Sequence, residues 1–215
     1  MSPLLPFSQP SDHDGVAQAM ALVKLFCESV ESFGQFCAVE SANVPQPWRQ
    51  LLDHESHMTV AMEKFYKTTV SLQVVAELKP PATSAADCDW YAREIFLLHP
   101  DGAAIQYGIV RIDLSQVDTA TAQAILRAHL PLGRILLEAG LLLQVQHVQL
   151  MELLPSVYWQ ALFSATHTHL QTQARTFGRV ASIRVAGKQA VDLLEIVAPP
   201  LTGDQSIVGR EFPQP

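Results

Sequence analysis

The residue in this chain that most needs a chemical explanation is Arg93, set within Tyr91 to Gly102 as YAREIFLLHPDG. A guanidinium stays charged at any ordinary pH. Placing one beside Ile95, Phe96, Leu97 and Leu98 therefore costs free energy unless a carboxylate or a bound anion meets it. Glu195 poses the matching question in AVDLLEIVAPP, near the other end. Alternate residues of a strand share a face, so Arg93 points the way of Tyr91, Ile95 and Leu97, and Glu195 the way of Val191, Leu193 and Val197. Both charges thus lie on apolar faces of strands far apart in sequence. The residues alone leave two explanations open: a structural salt bridge between the two, or a ligand site that contains both.

Other reactive residue types carry weaker signals. His54 and His57 flank Glu55 in HESHMT, but an HxxH pair with no third ligand nearby makes a poor metal site, and no metal is expected. His167 and His169 in THTH fall on one side of an extended segment and read as exposed polar residues. Ser164 and Cys88 lack the strand–turn–helix setting of an activated nucleophile, which argues against acyl transfer. Arg134 is expected to cap or pair at the surface of its helix. Cys27, Cys37 and Cys88 make an odd count without CxxC spacing, so they are expected as reduced, buried thiols.

Periodicity predicts the elements that must position these residues. Residues 1–13, rich in Pro, Ser and Asp, predict an arm with little structure of its own. Val16, Met20, Val23, Phe26, Val30, Phe33 and Phe36 recur three or four apart and predict one amphipathic helix within residues 14–38. VPQPW (44–48) breaks it, and a shorter helix is expected over 48–66. Strands are predicted at 68–78, 90–98 and 105–114, the last two joined by HPDG (99–102), where Pro suits the early turn position and Gly the late one. Asp118 and Thr119 can cap a helix reaching His129, and LPLGRILLEAG (130–140) predicts another, ended by Gly140. The stretch 141–175 is ambiguous. LLLQVQHVQLMELL alternates like a strand and then could become helical, and Pro155 interrupts it. RVASIRVAGKQAVDLLEIVAPP predicts two strands about a Gly187–Lys188 turn, closed by Pro199 and Pro200. Helices followed by hairpin-linked strands, with no parallel βαβ rhythm, point to the α+β class. The expectation is one domain over 14–200, an antiparallel sheet with flanking helices, and a tail over 201–215.

Composition narrows the function classes. With 215 residues, 48% of them hydrophobic, the chain can bury one large core. A formal net charge of −7 leaves no basic footprint for nucleic acid or an anionic membrane. The opening MSPLLPFSQPSDHD has no basic n-region and apolar h-region, and the longest apolar runs fall short of the roughly 20 residues that span a bilayer. A cytoplasmic protein that handles small molecules is expected, with neither nucleic acid nor membrane as partner and no helix-turn-helix segment attached.

Four blocks together carry a resemblance: HESHMT (54–59), YAREIFLLHPDG (91–102), LPLGRILLE (130–138) and FGRVASIRVAGKQAVDLLEIVAPP (177–200). In this order and at these separations they resemble the chorismate lyases, or 4-hydroxybenzoate synthases, over residues 50–200. The predicted helix of 14–38 falls outside it, as an addition or a diverged N-terminal part. The resemblance implies an antiparallel sheet with flanking helices and a pocket closed off from solvent. It also implies that Arg93 holds the ring carboxylate, that Glu195 meets the ring hydroxyl, and that backbone amides of Met58 and Leu132 complete the carboxylate's shell. Gly133 would permit close backbone approach. A second arginine, found in the better-known bacterial enzymes, has Gly108 in its place here, and Arg111 lies on the opposite strand parity.

The activity implied is elimination of pyruvate from chorismate to give 4-hydroxybenzoate. Arg93 would grip a carboxylate through two donors, and Glu195, in apolar surroundings that raise a carboxyl pKa, would assist proton removal. Aromatisation supplies the driving force, so no metal or organic cofactor is expected. Arg93 and Glu195 are the expected catalytic pair. The alternative is a non-catalytic module on the same fold that binds or senses an aromatic acid, which Gly108 in the second arginine's place keeps open.

Overall fold

A computed structural model describes residues 14–79, 90–164 and 175–198. The arm expected over 1–13, the tail over 201–215, and Cys88, His167, His169, Pro199 and Pro200 lie outside those residues. Strands β1 (Gly34–Ala38), β2 (Ser71–Leu78), β3 (Trp90–Leu98), β4 (Ala104–Asp113), β5 (Leu143–Pro155), β6 (Thr176–Val185) and β7 (Lys188–Val197) form one antiparallel sheet in the order β1-β5-β6-β7-β4-β3-β2. Two meanders, β2-β3-β4 and β5-β6-β7, meet where β4 pairs with β7. The helices are α1 (Gly15–Val23), α2 (Val30–Phe33), α3 (Trp48–Leu52), α4 (Met58–Tyr66), α5 (Thr119–Arg127), α6 (Leu132–Glu138) and α7 (Val157–Ser164). The class is α+β, with helices on both faces of the sheet.

Each face has its own core. On one, Leu22 and Val23 of α1, Phe33 of α2, and Trp159 and Phe163 of α7 pack on Phe96, Tyr107, Leu194 and Ile196. On the other, Ile125 of α5 and Ile135 and Leu136 of α6 pack on Tyr91, Ile112, Ile183 and Val191, while Leu52 of α3 and Met62 of α4 cover Leu97, Phe177 and Val197. A strand covered on both sides reads as a continuous apolar run, which is why β3 and β4 are so hydrophobic.

Several sequence expectations are corrected. The single helix predicted within 14–38 is three elements. The Asp14 carboxylate caps α1, which ends at Val23; the Ser29 hydroxyl caps the one-turn α2; and Gly34, at φ 155°, passes the chain into edge strand β1. Helical spacing misled because residues of separate elements are buried in one core. The helix predicted over 48–66 is two, α3 and α4, separated by a loop that is tied to the sheet. The ambiguous stretch is strand through Pro155. A bulge between Gln146 and Gln149, with His147 at φ 53°, shifts strand parity, so Leu143 and Val145 before it and Val148 and Leu150 after it join the cores of the same face. The β6–β7 turn is Ala186–Gly187, both at positive φ (48° and 84°) as in a type I′ turn, one residue earlier than predicted. Cys27 is buried as expected, but Cys37 is exposed.

Candidate functional site

Strand register assembles the site. Arg93, Val110, Leu193 and Ala181 lie abreast across β3, β4, β7 and β6, and Ile95, Gly108, Glu195 and Arg179 form the adjoining row. Gly108 puts no side chain into the middle of that row. A Cβ there would sit at ordinary contact distance, 3.4 Å from Ile95, so the glycine leaves room rather than relieving strain. Over it lies a cavity of about 60 Å³, large enough for several water-sized groups, roofed by the start of α4 and of α6. Arg93, Glu195, Met58, Leu132 and Gly133 all line it, together with Arg179, Gln106 and His57.

Arg93 is 1% exposed, and among the described residues it donates one hydrogen bond, from Nη2 to the Leu130 carbonyl at 3.1 Å, while Nε and Nη1 meet no acceptor there. Burial holds its pKa below the ordinary guanidinium value, against the smaller favourable influence of Tyr91 and Glu77. Tyr91 and Glu77 are already hydrogen-bonded to each other.

The salt bridge left open between Arg93 and Glu195 does not form. Glu195 Oε2 instead accepts from Arg179 Nε at 2.7 Å. Arg179 also donates to the carbonyls of His54 (2.6 Å), Ser56 (3.0 Å) and Leu52 (3.3 Å), which pins the loop between α3 and α4 to the sheet. Sequence reasoning missed Arg179, although the signal that found Arg93 and Glu195 applies to it: a charge sharing strand parity with Phe177, Ala181 and Ile183.

His54 and His57 belong to the loop that Arg179 pins to the sheet. His54 Nδ1 faces Arg179 Nη1 at 3.1 Å and the Ser56 hydroxyl at 2.9 Å, so it is assigned as an acceptor in a neutral ring. Burial, then Arg179, push the His54 pKa below its usual value, and burial does the same for His57. Among the described residues no cluster of His, Cys, Asp and Glu is placed to hold a metal ion.

The two helices that start at the cavity begin at His57 and Pro131 without a side-chain cap, whereas α1, α2 and α5 are capped by Asp14, Ser29 and Asp118. First-turn amides such as those of Met58 and Leu132 have no intrahelical acceptor. Gly133 lets α6 approach α4 closely, because a Cβ there would meet the His57 ring and Cβ at 3.3 Å. Arg134 pairs with Glu63 at 2.6 Å, tying α6 to α4, and Arg111 pairs with Asp192 at 2.6 Å on the opposite strand parity, so neither is a cavity cation. Gln106 is a site residue without a strong sequence signal, being polar but uncharged. It is 2% exposed, lines the cavity, and has no partner for Oε1 among the described residues.

No protein-family model and no curated protein matches the chain. Among solved structures it is similar to PhnF from Mycobacterium smegmatis, with a TM-score of 0.50 at 11% identity over 66% of this chain and 64% of that one. The effector domain of the same protein matches with a TM-score of 0.49 at 11% identity, covering 67% of this chain and 90% of that domain. A GntR-family transcriptional regulator from Bacillus cereus matches with a TM-score of 0.42 at 10% identity, covering 67% and 96%. The chain thus spans just under two-thirds of the length of the PhnF chain. The expectation of a lyase is overturned: the fold likeness found is to PhnF and names no lyase, and Glu195, the expected proton acceptor, is engaged by Arg179. What the chain shares with PhnF is the fold, a seven-stranded antiparallel sheet with flanking helices.

Proposed function

We propose that the chain is a small-molecule-binding domain that senses an anionic ligand, the non-catalytic alternative raised by the sequence. One observation carries this reading: Arg93 is buried in apolar surroundings and lines a cavity, and two of its nitrogens, Nε and Nη1, meet no acceptor among the described residues. A structural arginine would be matched as Arg179 is matched by Glu195. A carboxylate or similar oxyanion would accept from Nε and Nη1 and relieve the burial cost, with the Met58 and Leu132 amides as further donors. Glu195 would accept from the ligand through the oxygen that Arg179 does not hold. The likeness to chorismate lyases is then one of fold and pocket residues rather than of reaction, and the fold shared with PhnF supports that view.

Thermal melting tests it. The wild type and Arg93→Ala would be screened against small carboxylates and phosphonates, benzoate and 4-hydroxybenzoate among them. At about 100 times its dissociation constant, a ligand should raise the wild-type melting temperature by roughly 5–10 °C and leave Arg93→Ala unmoved. Equal stabilisation of both proteins would put the binding elsewhere. Incubation with chorismate should release no pyruvate above the uncatalysed rate.

A further inference from the structure

We propose that the bare backbone of β4 at Gly108 is the floor of a subsite for the carbon skeleton of the ligand, so that Gly108, with Ile95 beside it, sets how large an acid the domain accepts. This deepens the anion-site reading and rests on Arg93 as the anchor. A glycine inside a central strand weakens it, and the fold gives no return for that cost at Gly108. Its φ is not positive, and a Cβ on it would meet Ile95 Cγ1 at 3.4 Å and Gln106 Nε2 and Ile95 Cδ1 at 3.5 Å, all ordinary contacts. Gly178, inside β6, is the contrast: its Cβ would stand 2.7 Å from the Glu195 carbonyl oxygen, so strand packing alone requires it. What sets Gly108 apart is that it lines the cavity. A strand glycine that its own fold does not need, open to a cavity, marks a place where a ligand approaches the backbone closely.

The neighbours of that place define its chemistry. Ile95 and Glu195 flank Gly108 across the sheet, Gln106 and Val110 flank it along β4, and all four line the cavity. Arg93, abreast of Val110, is one strand over and two residues along, so its Cα lies about 8 Å from that of Gly108 by sheet spacings. An anion held by Arg93 is therefore close enough for the carbons attached to it to occupy the space over Gly108. Ile95, Val110 and Leu193 make that space mostly apolar. Glu195 disfavours a second anionic group there, since Arg179 is already committed to Glu195 and to the carbonyls of Leu52, His54 and Ser56. The cavity of about 60 Å³ is well below the roughly 150 Å³ that holds a benzene molecule, so the skeleton that fits is a few aliphatic carbons. The ligand class is a short-chain aliphatic monoacid.

Calorimetric titration with straight-chain carboxylates from acetate to hexanoate, and with benzoate, tests the assignment. In the wild type, affinity should rise about fourfold for each added carbon until the space is full, and then fall. Gly108→Ala should move that optimum to an acid about one carbon shorter and bind the wild-type optimum about tenfold more weakly, with acetate the least affected. Ile95→Val, which takes one carbon from the wall of the same space, should move the optimum the other way. Arg93→Ala should bind none of the acids, and melting curves establish that each variant is folded. If binding depends on Arg93 but the optimum stays put in Gly108→Ala, or if that variant weakens acetate as much as the longer acids, the subsite falls and the anion site stands. Should Gly108→Ala fail to fold, an optimum unmoved by Ile95→Val is decisive in the same way. Benzoate binding more tightly than every aliphatic acid would overturn the short-chain selection. If no acid binds in an Arg93-dependent way, the anion site falls and the subsite with it.

Discussion

Arg93 costs the fold the burial of a charge, which the proposed anion would offset. With two buried donors unmet, its replacement by methionine should stabilise the ligand-free protein by about 1–3 kcal/mol, measured by urea unfolding. A loss of stability would instead mark Arg93 as structural. Arg179 is the opposite case, since it joins Glu195 to three loop carbonyls while 1% exposed. Arg179→Met should cost about 3–5 kcal/mol, because it strands the carboxylate and frees the loop. The histidines of that loop set an acid limit. His54 and His57 are both held below their ordinary 6.5, so as pH falls through about 6.5 the unfolded chain takes up protons before the folded one does. Their contribution is complete above that pH and is lost on the acid side. Glu94, held above its ordinary value by burial, contributes with the opposite sign. Urea midpoints compared between about pH 7 and about pH 5 should therefore fall less in the His54→Asn/His57→Asn double variant than in the wild type; equal slopes would refute the assignment.

At the scale of elements, the close pairing of β6 and β7 holds Glu195 in place. A Cβ on Gly178 would stand 2.7 Å from the Glu195 carbonyl oxygen and 3.0 Å from Ile196 Cγ1, and the backbone oxygen cannot yield without moving β7. Gly178→Ala should cost about 1–3 kcal/mol in chemical denaturation, whereas Gly108→Ala, with only ordinary contacts, should stay within about 0.5 kcal/mol of wild type. Most elements were legible one at a time. β3, β4, α5, α6, β6 and β7 lie close to where alternation, caps and turns predict them, because those signals are local. The failures came where locality ended. Residues of α1 and α2 are brought into one core only by packing, and the bulge at His147 keeps β5 facing correctly while breaking its period.

Across the whole molecule, one face of the sheet carries the site and the other supports it. Phe33, fully buried against Tyr107 and Trp159, anchors that support, so Phe33→Ala should cost about 3–5 kcal/mol. In a cooperative domain the loss should appear as one melting transition shifted downward, checked by calorimetry; an unshifted melt would contradict the central place assigned to the N-terminal segment. The sequence by itself determined that Arg93 and Glu195 are strand residues on apolar faces, because strand parity is a property of neighbours along the chain. It left their partners open, since those depend on sheet order and register. Only the tertiary structure decided the pairing: Glu195 faces Arg179 directly on the adjacent β6, at a strand spacing of about 4.8 Å, while Arg93 lies two strands away and one row along. That offset leaves Arg93 beside the cavity with no carboxylate in salt-bridge contact among the described residues.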